Sequence, residues 1–107
     1  MKDTILVIED NDDIRGLLVN TLTIFGFDVE TAANGPEGLR MAQETRPDLI
    51  LSDIMLPYYN GYEVYKRLRD HGIVPVTPFI FLTALDSPND VRNGLLLGAD
   101  DYIAKPF

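Results

Sequence analysis

The chain has 107 residues, 46% of them apolar, and its 17 acidic side chains against nine lysines and arginines give a formal net charge of −8. This composition argues against a disordered chain and supports one domain, residues 1–107, with a real hydrophobic core. A shortage of basic residues argues against nucleic-acid binding, since phosphate recognition needs clustered lysine and arginine. No apolar run approaches the roughly 20 residues of a membrane span, and the first residues lack the pattern of a signal peptide. We therefore expect a cytoplasmic domain that binds neither nucleic acid nor a membrane.

Short apolar runs alternate with helix-like segments along the chain. The runs predicted as strands are 5–8, 27–31, 49–51, 79–82 and 102–104. The first predicted helix follows the capping residues Asn11, Asp12 and Asp13, and its apolar positions are Ile14, Leu17, Leu18 and Leu22. The second starts after the cap Asn34 and runs to Arg46, and the third carries Val64 and Leu68 four residues apart. The fourth starts at Asp86 or Ser87 and places Val91 and Leu95 on one face.

Alternation of strands and helices predicts right-handed crossovers, a parallel sheet and an α/β fold. The pattern contains five strands but only four helices, and the chain stops directly after the last strand. We therefore expect a domain that lacks its final helix, so that part of one face of the sheet is left without cover.

Polar residues with useful chemistry follow four of the five predicted strands. Glu9 and Asp10 follow the first, Asp53 the third, Thr83 the fourth and Lys105 the fifth. In open parallel sheets the ligand site lies beyond the carboxyl ends of the strands, so these residues are expected at one edge. Three carboxylates held together against one lysine repel one another unless a cation intervenes. Hard oxygen donors without histidine or cysteine suit Mg²⁺, and a carboxylate beside Mg²⁺, an ammonium and a hydroxyl can accept a phosphoryl group.

Four separated motifs then carry a family resemblance. They are the pair Glu9-Asp10, the segment DIMLP at 53–57 with Gly61, the pair Thr83-Ala84, and the segment GADDYIAKPF at 98–107. In this order and spacing they resemble the response-regulator receiver domain of bacterial two-component signalling over the whole chain. The resemblance implies a flavodoxin-like, doubly wound (βα)5 fold with strand order 2-1-3-4-5. It also implies phosphorylation of Asp53, in a Mg²⁺-dependent reaction, by a sensor histidine kinase or a phosphotransfer protein.

The same resemblance implies roles for individual residues. Asp10, Asp53 and the backbone carbonyl of Met55 would hold Mg²⁺, with Mn²⁺ as a substitute, and Glu9 would act through water. Thr83 and Lys105 would contact the phosphoryl group, and the small Ala84 would permit its close approach. Tyr102 would be the aromatic residue that reorients on activation. A cis peptide bond before Pro106 would aim Lys105 into the site.

The implied function is that of a regulatory switch, which catalyses only its own phosphotransfer and dephosphorylation and is not an enzyme acting on other substrates. The signal would pass through a conformational change of the fourth helix and fifth strand. An effector domain beyond Phe107 and a homodimer formed on phosphorylation are both compatible with this role.

Three other readings of the site residues compete with this one. An Asp-nucleophile phosphatase of the haloacid-dehalogenase type would need a second aspartate at position 55, where this chain has Met55. A flavodoxin-like FMN binder needs backbone and hydroxyl donors in its first loop, whereas the acidic 9–13 segment would repel phosphate. A purely structural module that has lost phosphorylation would not need the complete set of acidic, hydroxyl and lysine residues.

Overall fold

A computed structural model describes residues 2–74, 76–84, 98–99 and 101–105, with backbone only for residues 83, 84, 102, 104 and 105. It contains five strands: β1 (Thr4–Ile8), β2 (Asp28–Ala32), β3 (Leu49–Asp53), β4 (Phe79–Ala84) and β5 (Asp101–Lys105). Three helices lie between them: α1 (Asp12–Ile24), α2 (Gly35–Thr45) and α3 (Gly61–Asp70). The predicted fourth helix and Pro106 lie outside the described residues.

All five strands are parallel, and their order is β2-β1-β3-β4-β5. This confirms the predicted doubly wound sheet, with β1 and β3 side by side although β2 and α2 come between them in the chain. The direction of winding reverses at this pair, which is where ligands of such sheets bind. No helix follows β5 in the described residues, which end at Lys105.

The central strands are buried on both faces, as their continuous apolar runs predict. Leu6, Ile8 and Ile50 point into the larger cluster, which α2 and α3 cover together with the rings of β4. Ile5, Val7 and Leu51 point to the opposite face, in a smaller cluster. Side chains alternate across a strand, so a strand without polar residues must be covered on both sides.

Helix α1 covers the smaller cluster only in part. Leu18 and Leu22 pack against it, but no residue of α1 is fully buried. Leu17, which the spacing places on the apolar face, is 49% exposed. The predicted apolar stripe is therefore only partly buried in the part of the chain that the structure describes.

An asparagine N-cap precedes each described helix. The side chains of Asn11, Asn34 and Asn60 accept the backbone N–H groups of Ile14, Glu37 and Glu63, at 3.0, 2.8 and 3.0 Å. The expectation that Asp12 and Asp13 act as caps is wrong, because both lie within the first turn of α1. Their negative charges there are stabilised by the helix dipole.

The predicted end of α2 is confirmed to within a residue. The helix ends at Thr45, one residue before the predicted Arg46, which is its C-cap at φ 47°. Helix α1 ends at Ile24, and Gly26, at φ 93°, lies directly after its C-cap Phe25. Pro47 follows Arg46 directly, and a residue before proline is disfavoured in the helical region. No helix in the described residues has the length and apolar character needed to cross a membrane.

Candidate functional site

The carboxyl ends of β1 and β3 bring three acidic side chains together. Carboxylate oxygens of Glu9, Asp10 and Asp53 all lie within 4.8 Å of one another. The register explains this, because Ile8 pairs with Ser52 and the next residues along the two strands are Glu9 and Asp53. The predicted meeting of these carboxylates at one sheet edge is what the structure shows.

Two of these three acids are removed from water. Glu9 is 0% exposed and Asp53 is 7% exposed, whereas Asp10 is open to solvent. Coulomb repulsion between carboxylates grows as the local dielectric constant falls, so a divalent cation placed among these three oxygens would reduce their mutual repulsion. Oxygen donors at this spacing, one of them reachable from water, fit the ligand preference of Mg²⁺. A divalent cation therefore fits the residues present at this edge.

Backbone N–H groups fix the buried carboxylates. Glu9 Oε2 accepts the N–H of Asn11 at 3.2 Å, and Asp53 Oδ1 accepts the N–H of Met55 at 3.3 Å. The Glu9 N–H in turn donates to the carbonyl of Ala32 at 3.0 Å, which extends the pairing of β1 with β2 by one residue. Each carboxylate is thus held by the chain that follows its own strand.

The segment after β3 is held close to the strand by Gly61. Its N–H donates to the carbonyl of Ile54 at 2.8 Å, and a Cβ at this position would lie 2.3 Å from the carbonyl oxygen of Asp53. Real Cβ atoms do not approach an oxygen so closely, so only glycine fits. Gly61 thereby sets the path of the loop that begins at Asp53.

Tyr59, in the same loop, packs against residues of α2 and α3. The Arg67 guanidinium lies 4.5 Å from the centre of its ring, and Arg67 Nε lies 3.3 Å from Glu63 Oε2. Gly35 gives the ring room, since a Cβ there would lie 2.7 Å from two ring carbons. Burial raises the pKa of the Tyr59 phenol, Arg67 lowers it and Glu63 raises it, with a net increase.

Two exposed side chains face solvent from this loop. Met55 is 74% exposed and Tyr58 is 85% exposed. Tyr58 has φ 73°, in the left-handed region that costs a side chain free energy unless the surroundings impose it. The backbone carbonyl of Met55 stays a predicted ligand of the metal.

The other predicted site residues come from β4 and β5. Thr83 follows Leu82, which pairs with Asp53, and Ala84 pairs with Lys105 at the ends of the two strands. Their backbones therefore lie at the edge that holds the carboxylates. The side chains of Thr83, Ala84, Tyr102 and Lys105 lie outside the described residues, so their contacts stay predictions.

One residue at this edge was missed by sequence reasoning. Arg15 Nη1 donates to the backbone carbonyl of Glu9 at 2.8 Å, and Arg15 Nη2 bonds Asp12. An arginine one turn into a helix is an ordinary surface residue in the sequence. The spacing of six residues from Glu9 offers no recognised pattern, so only the folded structure reveals the contact.

Comparison with known proteins decides the family. The family model described as "Response regulator receiver domain" matches residues 5–107. The chain belongs to the response regulator receiver domain family. The predicted resemblance is confirmed, and receiver domains of two-component response regulators serve phosphorylation-dependent signalling.

Two curated relatives of this receiver domain are transcriptional regulators. The chain is 48% identical over 103 residues to the transcriptional regulatory protein AfsQ1 of Streptomyces coelicolor, covering 96% of this chain and 44% of the relative. It is 46% identical over 107 residues to the alkaline phosphatase synthesis transcriptional regulatory protein PhoP of Bacillus subtilis, again covering 44% of the relative. The receiver domain thus spans less than half the length of these relatives.

A solved structure extends the likeness to the fold. The receiver domain of a sensor histidine kinase from Pseudomonas aeruginosa superposes with a TM-score of 0.90 at 34% identity, covering 100% of this chain and 88% of that one. That structure is described with a magnesium ion coordinated in its active site cleft. The flavodoxin-like fold of the present chain is therefore shared with solved receiver domains.

Proposed function

We propose that Asp53 is the phosphoacceptor of this receiver domain and that Mg²⁺ is its cofactor. The observation that carries the proposal is the triad of carboxylates within 4.8 Å, two of them buried, at the end of two central strands. The magnesium ion described for the Pseudomonas relative supports the same assignment for the metal.

The metal would be held by Asp10, Asp53 and the Met55 carbonyl, with Glu9 acting through water and Mn²⁺ as a substitute. When bound, the ion would neutralise charge on the phosphoryl oxygens. The chain's own part is to hold the Asp53 carboxylate in place, through the Met55 N–H and the tight turn at Gly61. A held nucleophile avoids the entropic cost of being oriented in the transition state.

The phosphodonor is a phosphohistidine of a sensor histidine kinase or phosphotransfer protein, or a small acyl phosphate. In the first case an Asp53 oxygen forms a bond to phosphorus while the phosphorus–nitrogen bond breaks, and the electron pair remains on the imidazole. Thr83, Ala84 and Lys105 would surround the transferred group, and their backbone positions beside the carboxylates support this. The domain is then a phosphoacceptor that promotes only its own phosphorylation and dephosphorylation.

The negative charge of the phosphoryl group on Asp53 would produce the conformational change that carries the signal. Phosphorylation would draw Thr83 toward the phosphoryl group and Tyr102 would reorient, which would shift the balance between two packings of β5 and the helix predicted from Asp86 or Ser87. The names of the curated relatives support an effector that regulates transcription, joined to this receiver domain, and a homodimer formed on phosphorylation would place two such effectors together.

The test of the phosphoacceptor is chemical. The domain is incubated with Mg²⁺ and acetyl phosphate, and intact-mass measurement is expected to show the gain of one phosphate that is stable in acid and lost in base. Asp53→Asn is expected to abolish the gain. Asp28→Asn, which removes an exposed carboxylate at the opposite edge of the sheet, is the matched control and is expected to leave it unchanged.

Two outcomes would contradict the assignment. One is modification that persists in Asp53→Asn at the wild-type level. The other is wild-type protein that stays unmodified with Mg²⁺ and both kinds of phosphodonor.

A further inference from the structure

Arg15 makes a two-pronged contact next to the acidic triad. One nitrogen of its guanidinium donates to the Glu9 backbone carbonyl at 2.8 Å, and another bonds the Asp12 carboxylate. The Arg15 side chain is 23% exposed, although it starts from the first turn of a helix in which no residue is fully buried. Its guanidinium therefore folds back over the beginning of α1 toward the end of β1.

The carbonyl that it binds belongs to the peptide between Glu9 and Asp10. A peptide is planar, so fixing its carbonyl also fixes the N–H of Asp10 and constrains the torsions on both sides. Those torsions determine where the Glu9 and Asp10 side chains leave the backbone. The N–H of Glu9 is already bound to Ala32, and the N–H of Asn11 is bound to the Glu9 carboxylate. Arg15 supplies a hydrogen bond to the Glu9–Asp10 peptide, which lies between these two bound N–H groups.

Asp12 holds the guanidinium in its turn. Its side chain is 88% exposed, so its isolated charge pair with Arg15 contributes little to stability. Its effect is on geometry, because the planar guanidinium can satisfy a carbonyl and a carboxylate at once in a fixed orientation. A lysine in the same place carries the same charge without that fixed fork.

We propose that Arg15 is a positioning residue for the metal site, which acts by fixing the Glu9–Asp10 peptide so that both carboxylates are held beside Asp53. This inference rests on the proposed function, since it assumes that the triad binds Mg²⁺. Groups that orient metal ligands from outside the coordination shell typically change metal affinity by ten- to a hundredfold when removed.

A purely electrostatic role of Arg15 predicts the opposite change in Mg²⁺ affinity, so the experiment can separate the two roles. Arg15 is a cation beside the site, so removing its charge should strengthen the attraction for Mg²⁺ if electrostatics were its only role. Removing a positioning contact should weaken Mg²⁺ binding. A purely structural role in anchoring α1 would lower the stability of the fold and leave the Mg²⁺ affinity of the folded protein unchanged.

The experiment measures the dissociation constant for Mg²⁺ by calorimetric titration of wild type, Arg15→Met and Arg15→Lys. We expect roughly tenfold weaker binding in Arg15→Met, and weaker binding also in Arg15→Lys, which retains the charge but not the fork. Arg40→Met is the matched control, since it removes an exposed arginine whose ion pair with Glu44 lies on α2, and its affinity should equal that of wild type. Urea unfolding of each variant establishes that the titrated protein is folded.

Unchanged or tighter Mg²⁺ binding in either Arg15 variant would overturn the inference while leaving Asp53 as the phosphoacceptor. Wild-type protein that binds no Mg²⁺ would overturn both the inference and the assigned cofactor. Loss of phosphorylation in Asp53→Asn tests the proposed function separately, because that variant leaves the Arg15 contacts in place.

Discussion

Gly61 occupies a position where no side chain fits. A Cβ would lie 2.3 Å from the carbonyl oxygen of Asp53, and that oxygen belongs to the backbone, which cannot rotate out of the way. Gly61→Ala is expected to lower the free energy of unfolding by about 1–3 kcal/mol, the usual range for overpacking. Urea titration followed by far-UV circular dichroism measures this change.

The control for this substitution is Gly16→Ala. Gly16 lies within α1 and nothing stands within 4 Å of the position of its missing Cβ. Alanine is favoured over glycine in a helix interior by up to about 1 kcal/mol, so this variant should gain stability. A Gly61→Ala variant that equals wild type in stability would show that the loop after β3 can relax away from the strand.

Helix α2 has a reciprocal cap at its first turn. Asn34 accepts the N–H of Glu37 at 2.8 Å, while the Glu37 carboxylate accepts the N–H of Ala33 at 3.4 Å. Asn34→Ala is therefore expected to lower the free energy of unfolding by about 1 kcal/mol, because a helix N–H loses its acceptor. Asn20→Ala, at an exposed interior position of α1, should instead have no cost. Chemical denaturation measures the free energy of unfolding of both variants. An equal loss of stability in Asn34→Ala and Asn20→Ala would contradict a capping role for Asn34.

The strands, the caps Asn11 and Asn34 and the end of α2 could be predicted because their causes are local. The run 5–8 has no polar residue, and a short apolar run rich in β-branched residues is typical of a strand covered on both faces. The meeting of Glu9, Asp10 and Asp53 could also be predicted, since parallel strands end at a common edge. Their separation within 4.8 Å depends on the register of β1 and β3, which the folded sheet supplies.

Other features depend on contacts between residues that no sequence pattern links. The bond from Arg15 to the Glu9 carbonyl depends on one side-chain rotamer, and the stacking of Arg67 on Tyr59 depends on how α3 meets the loop before it. The exposure of Leu17 was missed for a different reason. Spacing predicts which face of α1 is apolar, but the burial of that face depends on what covers it.

The domain as a unit carries a charge of −8, and three of its carboxylates meet at one point. A ligand that binds only the folded state stabilises it, by about 1.4 kcal/mol when its concentration is ten times the dissociation constant. We therefore expect Mg²⁺ to raise the midpoint of thermal unfolding and chelation to reverse the shift. Asp10→Asn should reduce the shift, and Asp28→Asn should retain it.

General screening must be separated from specific binding in this measurement. Any salt weakens repulsion among exposed carboxylates, and the effect depends on ionic strength. Sodium chloride at matched ionic strength is therefore the reference condition. A stabilisation by NaCl equal to that by Mg²⁺ would show that the triad has no particular affinity for the divalent ion.

The placement of the triad across β1 and β3 also has a kinetic consequence. These strands are neighbours in the sheet but are separated in the chain by α1, β2 and α2. Their pairing therefore closes a long loop, and the chain loses conformational entropy before the contacts between the strands can compensate for it. The three carboxylates come together only after β1 and β3 have paired. A metal ion bound to the three carboxylates should therefore mainly lower the rate constant of unfolding and leave the rate constant of folding nearly unchanged.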